Sequence, residues 1–281
     1  MKTRIAIVIS IFSIAISSIA VNNALFAQDA VTQDESLVAD FTADEGGWRI
    51  TDFQPYITAI RDLEKLNRQY AENVLRLAID EFSTAIDILE DMDEEIAQII
   101  QRNKEKRNLN EQWYWQEIDR KNQEYREISN KKREAKLKAV TYLHKAIMDS
   151  DEVQNVELRN EPRFNNFLSK LYQTYVATQY DLQNLKPCIS IIERYIKISD
   201  KNSQDPWAYR YLASCCGYME KTLERYKYSA EDELMMYRNK KNKSMLYATE
   251  LLYGIDSPHY KRMQELVRKG ERKSVRINDF N

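Results

Sequence analysis

Apolar side chains recur every three or four residues through the middle of the chain. Ile60, Leu63, Tyr70, Val74 and Leu77 keep that spacing, then the stripe steps by one and resumes as Ala78, Phe82, Ala85, Leu89, Met92, Ile96 and Ile99. Such spacing puts these side chains on one helix face, and a one-residue step is what a stutter in a long helix produces. The theme returns with Ile118, Tyr125, Ile128, Ala135, Ala139, Tyr142 and Ala146. From Tyr56 to Glu161 there is no Gly and no Pro, so no residue there forces a helix to stop. Between the two stripes lies QRNKEKRNLN, residues 101–110, whose one apolar residue is Leu109. A single helix of about 100 residues would run about 150 Å and need a partner along its whole length. Folding back at the polar segment lets each stripe bury the other. The pattern therefore predicts a long antiparallel helical hairpin over residues 53–150, with arms of roughly 40 to 45 residues, about 60 Å long.

Beyond the hairpin the texture changes. EPRF at 161–164, DPWAY at 205–209 and SPHY at 257–260 each place an acid or Ser before Pro, with an aromatic close behind. That is a helix start, because an acid or Ser caps the first turn and the missing proline N–H would have no partner there. Residues 151–281 thus read as an array of helices with an irregular period, ending in a basic tail. FNNFLSKLYQTYVATQYDLQNLKPCISIIERYIKI resembles a degenerate tetratricopeptide repeat, and the resemblance covers about 140–265. It implies stacked α-α repeats with a concave face for peptides or proteins.

The ends differ again. Lys2 and Arg4 precede an apolar run from Ile5 to about Ala20, and Ala27 stands before Gln28, which reads as a signal peptide over 1–27. Its cleavage would leave no membrane span and would move the formal charge from −2 to −4. Residues 28–52 are acidic, hold Gly46 and Gly47 and show little period, so they read as an irregular N-terminal segment. Composition extends the helical reading to the whole chain: five Gly and five Pro in 281 residues leave little material for strand turns. The fold class expected is all-α.

Charge and aromatic placement bear on partners. Residues 80–95 hold eight acids and no base, whereas 261–276 hold seven Lys or Arg against two Glu. Such runs are usually solvated helix faces, though an acidic arm and a basic tail on one chain would also suit head-to-tail assembly with opposite potentials facing. An acidic, exported chain is a poor nucleic-acid binder. Near the hairpin tip stand Trp113, Tyr114 and Trp115. On a helix the two Trp point about 200° apart, so both cannot face one thin seam, and an outward Trp is a favoured contact anchor. Trp113, Tyr114, Trp115, Trp207 and Tyr211 are the candidate protein-contact residues. Cys188, Cys215 and Cys216 either include one disulfide, Cys188 with Cys215 or Cys216, or pack as small apolar residues.

Chemistry is not visible in the sequence. The two histidines, His144 and His259, sit in no metal or nucleophile pattern, and there is no phosphate loop, dinucleotide fingerprint, nucleophile elbow or paired-Cys zinc spacing. No cofactor, metal or catalytic residue is expected, and an enzyme is not the expected class. The layout of signal peptide, long hairpin and degenerate repeats resembles the flagellar-coiling proteins of spirochaetes. That resemblance implies a periplasmic structural protein in the flagellar filament sheath. Its partners would be the filament core, other sheath proteins and copies of itself, and its role would lie in filament coiling and motility. The alternative is a periplasmic adaptor that recruits envelope proteins through a peptide-binding groove.

Overall fold

The computed structural model describes Gly47, Trp48, Ile50 and residues 52–107, 114–225 and 230–278, with only the backbone at 105–107, 114–118 and 271–278. All fall within one unit, Ala43–Asn281. The signal peptide, nearly all of segment 28–52 and Trp113 lie outside the described residues, as do the side chains of Tyr114, Trp115 and the end of the basic tail. Among the described residues all regular structure is helical, in ten helices. None of them is long and apolar enough to cross a membrane.

The hairpin is formed by α2 (Asn73–Arg107) and α3 (Tyr114–Glu152), about 53 and 58 Å long at 1.5 Å per residue. Arg102–Glu127, Glu95–Lys131 and Glu81–Lys145 tie the two helices across the seam, and because the partner's number rises as the α2 number falls, the helices are antiparallel. Every residue of the resumed stripe, Ala78 to Ile99, is buried. On α3 burial is concentrated nearer the body: Ala139 and Ala146 are buried, Ile128, Ala135 and Tyr142 half-buried, and Tyr125 is 68 % exposed. The outer hairpin has only two helices and few apolar residues on α3, so Tyr125 has nothing to cover it.

The stutter expected near Leu77 is instead a break between two helices six residues earlier. A separate helix α1 (Gln54–Tyr70) ends where Ala71 turns left-handed at φ 53°. Ala71 N–H bonds the Asn67 carbonyl at 2.7 Å, and Asn67 Oδ1 accepts from Glu72 N–H at 3.2 Å, which satisfies the broken end. α1 then packs on both α2 and α5 (Pro162–Asp181), burying Ile60, Leu63 and Leu66. Freed from that stripe, Leu77 is left exposed.

A short helix α4 (Val156–Arg159) leads into α5, followed by α6 (Lys186–Ile196), the short α7 (Asp200–Ser203), α8 (Pro206–Glu224), α9 (Glu231–Tyr253) and α10 (Pro258–Asn278). They pack in series, α3 on α5, α5 on α6, α6 on α8, α8 on α9 and α9 on α10. The three proline-marked starts open α5, α8 and α10, with Asp205 and Ser257 capping the last two while Glu161 makes no side-chain cap on α5, and Pro55 and Pro187 stand in the first turns of α1 and α6, where the N-cap residue likewise makes no side-chain cap. Phe82 of α2 meets Phe167 of α5 edge-on at 5.3 Å, so hairpin and body share one core. At the base of α3, Arg194 pairs with Asp151 and donates to Tyr172 Oη, while Arg159 donates to the Val153 and Asp151 carbonyls.

Candidate functional site

Four of the five candidate contact residues lie on α3 and α8, and the fifth, Trp113, immediately precedes α3 in the sequence. Trp113 is outside the described residues, and Tyr114 and Trp115 open α3 with their side chains undescribed. Trp207 and Tyr211, one turn apart on α8, part company. Trp207 is half-buried, with the Arg210 guanidinium 4.5 Å above its ring, and remains at the surface. Tyr211 is 2 % exposed and is no contact residue: its ring packs edge-on against Tyr180 at 5.1 Å and stacks on Trp48 at 5.0 Å.

Trp48 is the residue that sequence reasoning missed. It lies 6 % exposed in the body core, tilted against Tyr195 at 4.7 Å, and its Nε1–H donates to Asp205 Oδ2 at 3.0 Å. The same oxygen accepts from Tyr195 Oη at 2.7 Å, and Asp205 Oδ1 accepts from Trp207 N–H at 2.9 Å, capping α8. Gln173 donates to Tyr195 Oη at 2.9 Å. One carboxylate thus joins the N-terminal segment, α6 and α8. Burial, then the Asp205 charge, pushes the Tyr195 phenol far above its ordinary range, so it stays a neutral donor. The sequence signal available was an isolated Trp beside Gly46 and Gly47 in an otherwise polar stretch.

Of the two readings of the cysteines, a bridge or small packed groups, the structure has the second. Cys188, Cys215 and Cys216 are free, buried thiols. Cys215 is the neighbour of Cys188, with which it shares a hydrogen bond, and that bond and burial push its thiol well up. Cys188 itself also reaches the Val176 and Asn184 carbonyls. Burial pushes Cys216 up to about 12. Cys215 and Cys216 are thus held as protonated thiols, and all three cysteines pack as small buried groups.

Charge on the body is paired where it is buried. Glu220 of α8 accepts from Arg238 Nε at 2.6 Å and from Lys241 Nζ at 2.5 Å on α9. Gly217 makes room for this approach, since a Cβ there would stand 3.3 Å from Lys241 Cδ. Burial raises the Glu220 carboxyl, but the two hydrogen bonds and two positive charges together outweigh it and hold the group below its usual range.

Exposed faces of two kinds remain. The outward side of α2 carries Asp80, Asp87, Asp91 and Glu94, all exposed and none in an ion pair among the described residues. At the other end of the helical series, Leu252, Tyr253 and Ile255 (57 % exposed) surround the α9–α10 turn, with Tyr253 stacked on His259 at 4.5 Å. Isolated exposed apolar residues mean little, but three within four positions form a patch.

A family model described as FcpA, flagellar coiling protein A, matches residues 13–277 of this chain. No curated protein matches it.

Proposed function

This chain belongs to the FcpA family of flagellar coiling proteins, and on that premise we propose that it is a structural component of the periplasmic flagellar filament sheath. It binds the filament core and other sheath proteins through exposed helix faces and so sets the coiled filament shape on which motility depends. The observation that carries this reading is the family match, which runs from residue 13 to residue 277 and so spans hairpin and body alike. The physical layout supports it. A hairpin more than 50 Å long offers far more lateral surface than its own core requires, and beside its seam ion pairs it carries Asp80, Asp87, Asp91 and Glu94 on an outward face. Glu220 and Asp205, by contrast, are engaged in ion pairs and a helix cap inside the body, and the Cys215 and Cys216 thiols are held protonated. This distribution suits a protein that acts by presenting surfaces.

Within this reading the aromatic trio at the hairpin tip is the contact anchor. A chain carrying Trp113→Ala and Trp115→Ala is expected to hold the filament about tenfold more weakly, or worse, with helix content by circular dichroism and Tm nearly unchanged. A large fall in Tm with retained filament binding would instead make the trio part of the core.

A further inference from the structure

Two exposed faces, one on α2 and one on α10, are opposite in sign. On α2, Asp80, Asp87, Asp91 and Glu94 follow steps of seven, four and three residues, which keeps them within a narrow band of one helix face. The band spans about 21 Å at 1.5 Å per residue. It looks away from the core stripe of Phe82, Leu89 and Ile96, and exposed Leu77 (48 %) stands at its edge. Among the described side chains of α10, Met263 is buried, while Lys261, Arg268 and Lys269 are exposed beside Glu265. Beside this basic face lies the apolar patch of Leu252, Tyr253 and Ile255.

We infer that the α9–α10 end of one copy docks on the acidic face of α2 in a second copy, the basic side chains of α10 against the carboxylates and the Leu252, Tyr253 and Ile255 patch against Leu77. The occupant is a second copy because a single chain carries both halves of the complementary pair. One half lies on α2, which packs on α1 and α3, and the other on α10, which packs on α9, so the two belong to different parts of one copy and can meet between copies. Such a contact is heterologous: each copy uses two different faces, and the arrangement continues as an open row instead of closing as a dimer. The apolar patch supplies burial, and the charges supply orientation and exclude the reversed pairing, in which like charges would meet. For the sheath reading this names the contact by which copies would follow one another along a filament. It rests on that reading only for its setting.

The test uses the purified full-length mature chain without filaments, so its failure leaves filament binding untouched and failure of filament binding leaves it untouched. Sedimentation velocity over a concentration series is expected to show open-ended self-association that weakens as salt is raised to about 0.5 M. Reversal of the acidic face (D80K, D87K, D91K, E94K) and, separately, of the basic face (K261E, R268E, K269E) is expected to lower the association constant by about a hundredfold each. Circular dichroism should confirm that both variants remain folded. Mixing the two variants restores association, because one then carries two basic faces and the other two acidic ones. A chain that stays monomeric throughout, association that survives either reversal, or a mixture that fails to associate would overturn the inference.

Discussion

Replacing Trp48 with Ala is expected to destabilise the protein by about 4 kcal/mol, the range for emptying a large aromatic site in a core. For a body of this size that corresponds to a fall in Tm of about 10 °C. The indole fills the space between Tyr195 and Tyr211, and its removal also leaves Asp205 Oδ2 with one donor fewer. Trp48→Phe keeps most of the packing and loses the hydrogen bond, so a loss of about 1.5 kcal/mol is expected there. Urea unfolding followed by circular dichroism reads both. A Trp48→Ala chain within about 0.5 kcal/mol of wild type would mean that the indole is not in the core.

Glu220→Gln carries the second large effect. The variant leaves Arg238 and Lys241 facing a neutral amide in a nearly closed site, and a broken buried ion pair of this kind costs about 3 kcal/mol. The effect depends on pH in a definite direction. Because the folded carboxyl is held below its usual range, its contribution is complete above the unfolded carboxylate range and is lost as pH falls through the folded value. Wild type and variant should therefore differ most near neutrality and converge in acid. Unfolding free energies measured from neutral pH downward check this, and a gap that widens in acid would contradict it.

These two sites show where the sequence was legible and where it was not. The resumed stripe from Ala78 to Ile99 reports on packing against the nearest helix, and burial along α2 follows it residue by residue. The proline-led starts are equally local, since the side chains that cap a first turn lie within three residues of it. Ala71 is different. Ala is the best helix former, and nothing in its identity announces a left-handed turn. The break is imposed by tertiary packing of α1 on α5, and its trace in the sequence was a one-residue step that a stutter explains equally well. Trp48 and Asp205 are 157 positions apart, a separation at which periodicity carries no information. Tyr211 was misplaced for the same reason: it shares a helix face with Trp207, but the Trp48 indole covers one and not the other. Cys188 and Cys215 did come together, yet as packed thiols, which a count of cysteines cannot distinguish from a bridge.

Family membership fixes a role in flagellar coiling, and the sheath assignment is the claim on which the rest of the account stands. Its most direct test is to fractionate cells and probe purified periplasmic flagellar filaments for this chain, with cells lacking the filament core as control. The account predicts that the chain co-purifies with intact filaments in amounts comparable to a filament protein and shifts to the soluble periplasmic fraction in the control. Its absence from filaments, with the same soluble distribution in both strains, would contradict the account and favour an adaptor that binds envelope proteins.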